Sequence, residues 1–202
     1  MQADVVLRKH GACADAVEWL GKRRAPKAAW DACERGDWLL WMAARLGVKR
    51  EIVVFAACQC ARLALKHTKD PRVLECIETT EAWTRGERSI EDVRKARAHA
   101  YAAYAADAYA AYAADAYAAY AADAAYAAAD AAYAAAAAAY AAAAASAADD
   151  AYAADAAYAA DAAADAAYAA ADASAARKKT QKACARLVRK HIPWKLMQEK
   201  IK

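Results

Sequence analysis

Few side chains in this sequence could perform chemistry. Serine occurs only at 89, 146 and 174. Each of these positions reads as a helix cap or as filler in an alanine tract, not as a nucleophile beside a base. His10-x-x-Cys13 and Cys58-x-Cys60 could be fragments of a metal site. The usual CxxC pairing is absent, and two residues apart on a helix point about 200° away from each other. The six cysteines at 13, 33, 58, 60, 76 and 184 therefore read as reduced thiols in a helical core. His67 and His99 lie among basic residues and read as solvated; His191 reads as a helix end. Asp149-Asp150 could be an acid/base pair, but a helix start explains it more simply. No glycine follows Gly86, so no phosphate-cradling loop exists beyond it. These observations point to a non-enzymatic protein without cofactor or metal.

Two features suited to binding remain. The first is a surface of tyrosine and aspartate, carried by Tyr101, Tyr104, Asp107, Tyr109, Tyr112 and Asp115. Tyrosine gives large contact area at low entropic cost, the reason binding surfaces use it. The alternative is internal glue between alanine-rich helices. The second is a basic C-terminal set: Arg177, Lys178, Lys182, Arg186, Arg189 and Lys190, with Lys179 and Lys195 alongside. It could hold a phosphate or another anion, with Lys22, Arg23 and Arg24 as additions, or it could simply complement a helix dipole. Trp38 and Trp41, three apart on one helix face, are either core or a partner-binding face.

The elements that position these residues follow from composition. The chain has 202 residues. All twelve tyrosines lie between 101 and 168, and five of the six tryptophans lie before 84. No Lys or Arg occurs between Arg97 and Arg177, while ten Asp do. The tract thus carries −10 and the remainder +14, and the net +4 hides an acidic middle between basic ends. Glycine and proline punctuate the first 87 residues. Pro26 opens a helix through Glu34 that Gly36 closes, and Asp37 caps one ending at Gly47. A longer helix is expected from Lys49 to His67, since Ile52-Val53-Val54-Phe55 continues into helical spacing. Asp70-Pro71 starts a helix that Gly86 ends. Shorter turns end at Gly11 and near Gly21.

Ser89-Ile90-Glu91-Asp92 is a capping-box variant. From there nothing stops a helix until Pro193, and alanine is the strongest helix former. The expected fold is all-α: an N-terminal bundle over 1–88, then long alanine-rich helices over 89–192, then a basic tail over 193–202. A break near 145–150 makes the alanine-rich part an antiparallel hairpin, about 90–144 out and 147–190 back, with further breaks near Asp123 or Asp130 left open. Tyr–Asp pairs three or four apart, such as Tyr104–Asp107, Tyr152–Asp155, Tyr158–Asp161 and Tyr126–Asp130, share a helix face and can hydrogen bond. The first octads, from Ala100 to Asp123, wind tyrosines about 80° further round the helix per repeat. They should be contacted on several sides. The heptad-spaced Tyr126, Tyr133 and Tyr140 should meet one partner.

No signal peptide is visible in Met1–Gly11, and aspartate interrupts every apolar run, so a membrane span is not expected. A cytoplasmic protein is the expectation.

The segments GACADAVEWL, WDACERGDWLLWMAARLG, ETTEAWTRGERSIEDVRKA and ARLVRKHIPW, with the Ala/Tyr/Asp tract between, resemble an immunity-protein family of bacteria and phages. The likeness spans most of the chain. It implies an intracellular helical protein of a bacterial or phage-infected cell that neutralises a toxin or defence protein by binding it. It brings no catalytic residues. A phage member would point to counter-defence, such as sequestering a nucleotide-type signalling molecule by tyrosine stacking and Arg/Lys–phosphate contacts. A purely structural scaffold is the third reading. Sequence-specific nucleic acid is not an expected partner. Exposed alanine-rich faces could also pair between chains as a homo-oligomer.

Overall fold

The structure is a computed structural model. It describes residues 8–21, 25–116, 122–146, 152–165 and 173–201, with side chains left out at 107–116, 122–132, 146, 152–153 and 173–174. The fold is all-α. Ten α-helices and one 3-10 turn make up the described residues: α1 Ala14–Leu20, α2 Pro26–Ala32, α3 Gly36–Arg45, α4 Arg50–Arg62, the turn Leu65–His67, α5 Pro71–Thr84, α6 Ile90–Ala116, α7 Ala122–Ser146, α8 Tyr152–Asp165, α9 Ala173–His191 and α10 Trp194–Lys200.

The caps form as the sequence dictates. The Asp70 side chain accepts from the Arg72 backbone N–H at 2.9 Å, with Pro71 in the first turn behind it. Ser89 Oγ accepts from the Asp92 N–H at 3.1 Å, and Asp92 Oδ2 accepts from the Ser89 N–H at 3.0 Å, closing a reciprocal box. Gly47 and Gly86 end their helices with positive φ of 74° and 76°. The β-like run Ile52–Phe55 is helical, within α4.

Gly36 departs from expectation. It opens α3 rather than closing α2, and a Cβ there would lie 2.3 Å from Cys184 Cβ on α9. Glycine lets the two helices touch backbone to side chain. The Gly36 N–H donates to Gln181 Oε1 of the same helix at 3.0 Å, so a polar group buried by that approach stays satisfied.

The expected two-helix hairpin is replaced by four helices. α6 packs along α7, and α7 along α8, so the outward leg consists of two helices packed on each other, Ile90–Ala116 and Ala122–Ser146. The expected break near 145–150 coincides with the end of α7 at Ser146. The physical reason for the extra fold is burial: a rod of about 55 residues would be roughly 80 Å long and would leave most of its alanine surface in water. The C-terminal segment is also more than a tail. It forms α10, whose Met197 is buried.

The packing of the tract reverses another expectation. Within the heptad-spaced part, residues 134–145 apart from Tyr140 are enclosed on all sides, while Tyr133 is 42% exposed. Ala134–Ala139 and Ala141–Ala145 are each at most 8% exposed, and α7 packs against α4, α5, α6 and α8. A helix that is apolar all round belongs at the centre of a bundle. The described part of α6, by contrast, buries one stripe, Val93, Ala96, Ala100 and Ala103, at spacings of three and four. Residues 107–116 lie within the octads, and their side chains fall outside the described residues.

Gly36→Ala is expected to destabilise the protein by about 1–3 kcal/mol through overpacking, read as a lower urea midpoint. The same change in a Cys184→Gly background should cost less. Equal costs in both backgrounds would show that the α3–α9 approach is not the cause.

Candidate functional site

Two aromatic clefts lie on either side of Tyr158. The first is built by α6, α7 and α8. It encloses about 230 Å³ and is lined by Tyr101, Tyr104, Tyr133, Tyr140 and Tyr158, with Asp161 and Asp165. Tyr101 and Tyr104 are 37% exposed, Tyr133 42% and Tyr158 55%. Only Leu74 joins these four among the exposed large apolar side chains of the described residues. Among the described residues the exposed aromatic side chains are therefore gathered at one place, not scattered as surface noise. The rings of Tyr140 and Tyr158 lie 5.4 Å apart at 39°, and the Arg97 guanidinium sits 5.2 Å from the Tyr101 ring centre on the flank.

The carboxylates of this cleft are held from behind. Arg177 of α9 donates to Asp161 and to Asp165, each at 2.6 Å. Gln181, buried on the same helix, donates to Asp161 at 2.9 Å. Burial pushes the Asp161 carboxyl above the ordinary aspartate range, with Asp37 adding repulsion and Arg177 opposing both. Burial likewise raises Asp155, against the pull of Arg97, and raises the Tyr140 phenol.

The second cleft is larger, about 490 Å³. Five tryptophans face it: Trp19 from α1, Trp30 from α2, Trp38 and Trp41 from α3, and Trp194 from α10. Ala154, Ala157 and Tyr158 of α8, at helical spacing, form the opposite wall. Trp19 meets Trp38 edge to face at 5.9 Å. Arg35 lies 4.7 Å over the Trp38 ring and grips Asp37 with two hydrogen bonds of 2.9 and 2.5 Å.

Of the residues expected to bind, Tyr101 and Tyr104 stand in the tyrosine cleft. Asp107, Tyr109, Tyr112 and Asp115 lie on α6 with side chains outside the described residues. The basic set does not converge. Arg177 is paired with the two aspartates, and Lys182 pairs with Glu34 at 3.1 Å. Arg189 donates to the carbonyls of Trp30 and Cys33, at 3.2 and 2.7 Å, and satisfies the end of α2. Lys178, Arg186 and Lys190 are exposed along α9. Lys22, Arg23 and Arg24 lie outside the described residues. Of the Tyr–Asp pairs, Tyr158 and Asp161 do share a face, but Arg177 and Gln181 take the carboxylate. Tyr152–Asp155, Tyr126–Asp130 and Tyr104–Asp107 each include a side chain that is not described. Tyr133, Tyr140, Asp161 and Asp165 were missed, as were Trp19, Trp30 and Trp194. Concentration of tryptophan in residues 19–41 was the available signal.

The cysteines disperse. Cys13 is exposed and the other five are buried. The Cys60 thiol donates to the Cys184 carbonyl at 3.9 Å, and the neighbouring Cys184 side chain together with burial raises Cys60 well above the usual thiol range. Burial raises Cys33 to about 11 and Cys76 to about 12. Among the described residues no group of three or more His, Cys, Asp or Glu could hold a metal ion. His67 is half-buried in its 3-10 turn, not solvated; His99 is exposed. His191 ends α9 and meets Phe55 edge-on at 5.0 Å.

No family model, curated protein or solved structure matches this chain. Among the described residues no helix is long and apolar enough to cross a membrane.

Two outcomes follow from these environments. A thiol reagent at pH 8 should label the native protein once, at Cys13, and the denatured protein six times; labelling of a second site in the folded state would contradict the burial described. Arg177→Met should cost roughly 1–2 kcal/mol at pH 7, because two half-buried carboxylates lose their cation. The folded Asp161 carboxyl already sits above its unfolded value, and loss of Arg177 raises it further. The ionised form is then disfavoured by folding, so stability falls as pH rises through that interval. The variant's deficit should be smaller at pH 4 than at pH 7 in paired denaturation curves.

Proposed function

We propose that this protein is a non-catalytic binding protein that neutralises a basic protein target by covering it with the tyrosine/aspartate surface of α6, α7 and α8. One observation carries the reading: five phenols and two carboxylates line the first cleft, and no Lys or Arg is among the described residues that do. Tyrosine supplies rigid amphipathic contacts, and carboxylates at the rim steer a cationic partner and set its orientation. Arg177 approaches those carboxylates from α9 but is consumed in holding them. A phosphate entering here would meet aspartate, which disfavours the nucleotide-sequestering alternative. The resemblance to immunity proteins supports the same role, with a toxin or defence protein as the target.

The test is native mass spectrometry of freshly purified protein, paired with a triple variant, Tyr101→Ala/Tyr104→Ala/Tyr158→Ala. These rings are partly exposed, so the variant should keep its helical circular dichroism. The wild type should carry a basic protein in fixed stoichiometry, weakened by salt. The triple variant should lose it, with at least one ring worth about 2 kcal/mol. A bound nucleotide with excess absorbance near 260 nm, or a partner retained by the triple variant, would overturn the proposal.

A further inference from the structure

The tryptophan-walled cleft is left unused by that reading. We propose that it is a small-molecule site for a neutral, planar, largely apolar ligand. Its volume of about 490 Å³ lies within the range of about 300–1,000 Å³ typical of such sites. Five indoles from four helices converge on it, with Met42 and Met197 between them. Indole faces stack on flat π systems, and thioethers adapt to the outline of what they pack against.

Charge decides the class of ligand. Arg35 and Asp37 lie on the wall, but each is committed to the other through two hydrogen bonds, and Arg35 also stacks on Trp38. Asp15 lies exposed on the rim. Among the described lining residues an anion would find no uncommitted cation, and a cation would find the Trp38 face already taken by the Arg35 guanidinium. Burying an ion without a partner is costly, whereas burying a neutral ring is favourable. On the opposite wall, beside Tyr158, Ala154 and Ala157 present only methyl groups, which leaves room for a ring to lie between α8 and the indoles.

The experiment uses the full chain and N-phenyl-1-naphthylamine, a neutral flat fluorophore, against its anionic counterpart 8-anilinonaphthalene-1-sulfonate and an N-methylacridinium cation. It needs no protein partner, so it succeeds or fails independently of the neutralising role. The neutral probe should bind once per chain, quench tryptophan emission and saturate at micromolar concentration. Both charged probes should bind at least about tenfold more weakly. Ala154→Trp places a ring in the cleft without removing any core side chain and should weaken the neutral probe about tenfold or more. If that variant loses helicity, Trp38→Ala, which removes a half-buried wall, is read in its place with the same expectation. Absence of saturable binding, equal affinity for the charged probes, or affinity unchanged by the variant would overturn the proposal.

Discussion

Everything in this fold is arranged around a helix whose side chains are almost all methyl groups. Residues 134–145 of α7 face protein in every direction, apart from Tyr140, which is only half-buried. Methyl groups allow neighbouring axes to come close, near the lower end of the usual 8–10 Å. Each contributes little apolar area, so stability needs many neighbours rather than large side chains. α4, α5, α6 and α8 supply them. The same economy of volume recurs at Gly36, where α3 meets α9 too closely for even one methyl group.

That central helix determines where the larger residues go. Phenol rings are too large to sit between closely spaced alanine helices, and five of them line the cleft built by α6, α7 and α8. Tyr101, Tyr104, Tyr133, Tyr140 and Tyr158 meet there. Five of the six indoles collect on the other side of α8, between the short N-terminal helices and α10. Tyr158 is the partition between the two clefts and belongs to both.

The polar groups show how an acidic tract and basic ends coexist. Arg177 and Gln181 hold Asp161, and Gln181 continues the chain of bonds to the Gly36 N–H. Glu81, buried on α5, accepts from Gln59 and twice from Arg62, each at 2.7 Å. Asp161, Gln181 and Glu81 are tolerated inside because each is hydrogen-bonded. Several basic residues of α9 are thereby spent on cohesion. The tyrosine cleft keeps an acidic rim, and the tryptophan cleft keeps a self-neutralised pair. Both surfaces are suited to gripping, and the binding roles proposed for them rest on that division.

Local signals were legible in the sequence because they need only near neighbours. The Asp70-Pro71 start, the Ser89–Asp92 box, the glycine stops and the helicity of the alanine tract all depend on a few adjacent residues. The fold class followed from them. How the long tract packs, which alanines become the centre, and which aromatics share a cleft were decided by packing between distant segments, the tryptophans at 19 and 194 being 175 positions apart. An alanine-rich helix carries no polar face to say which side turns outward. Its neighbours had to be in place before its orientation, and with it the positions of the tyrosines, could be fixed.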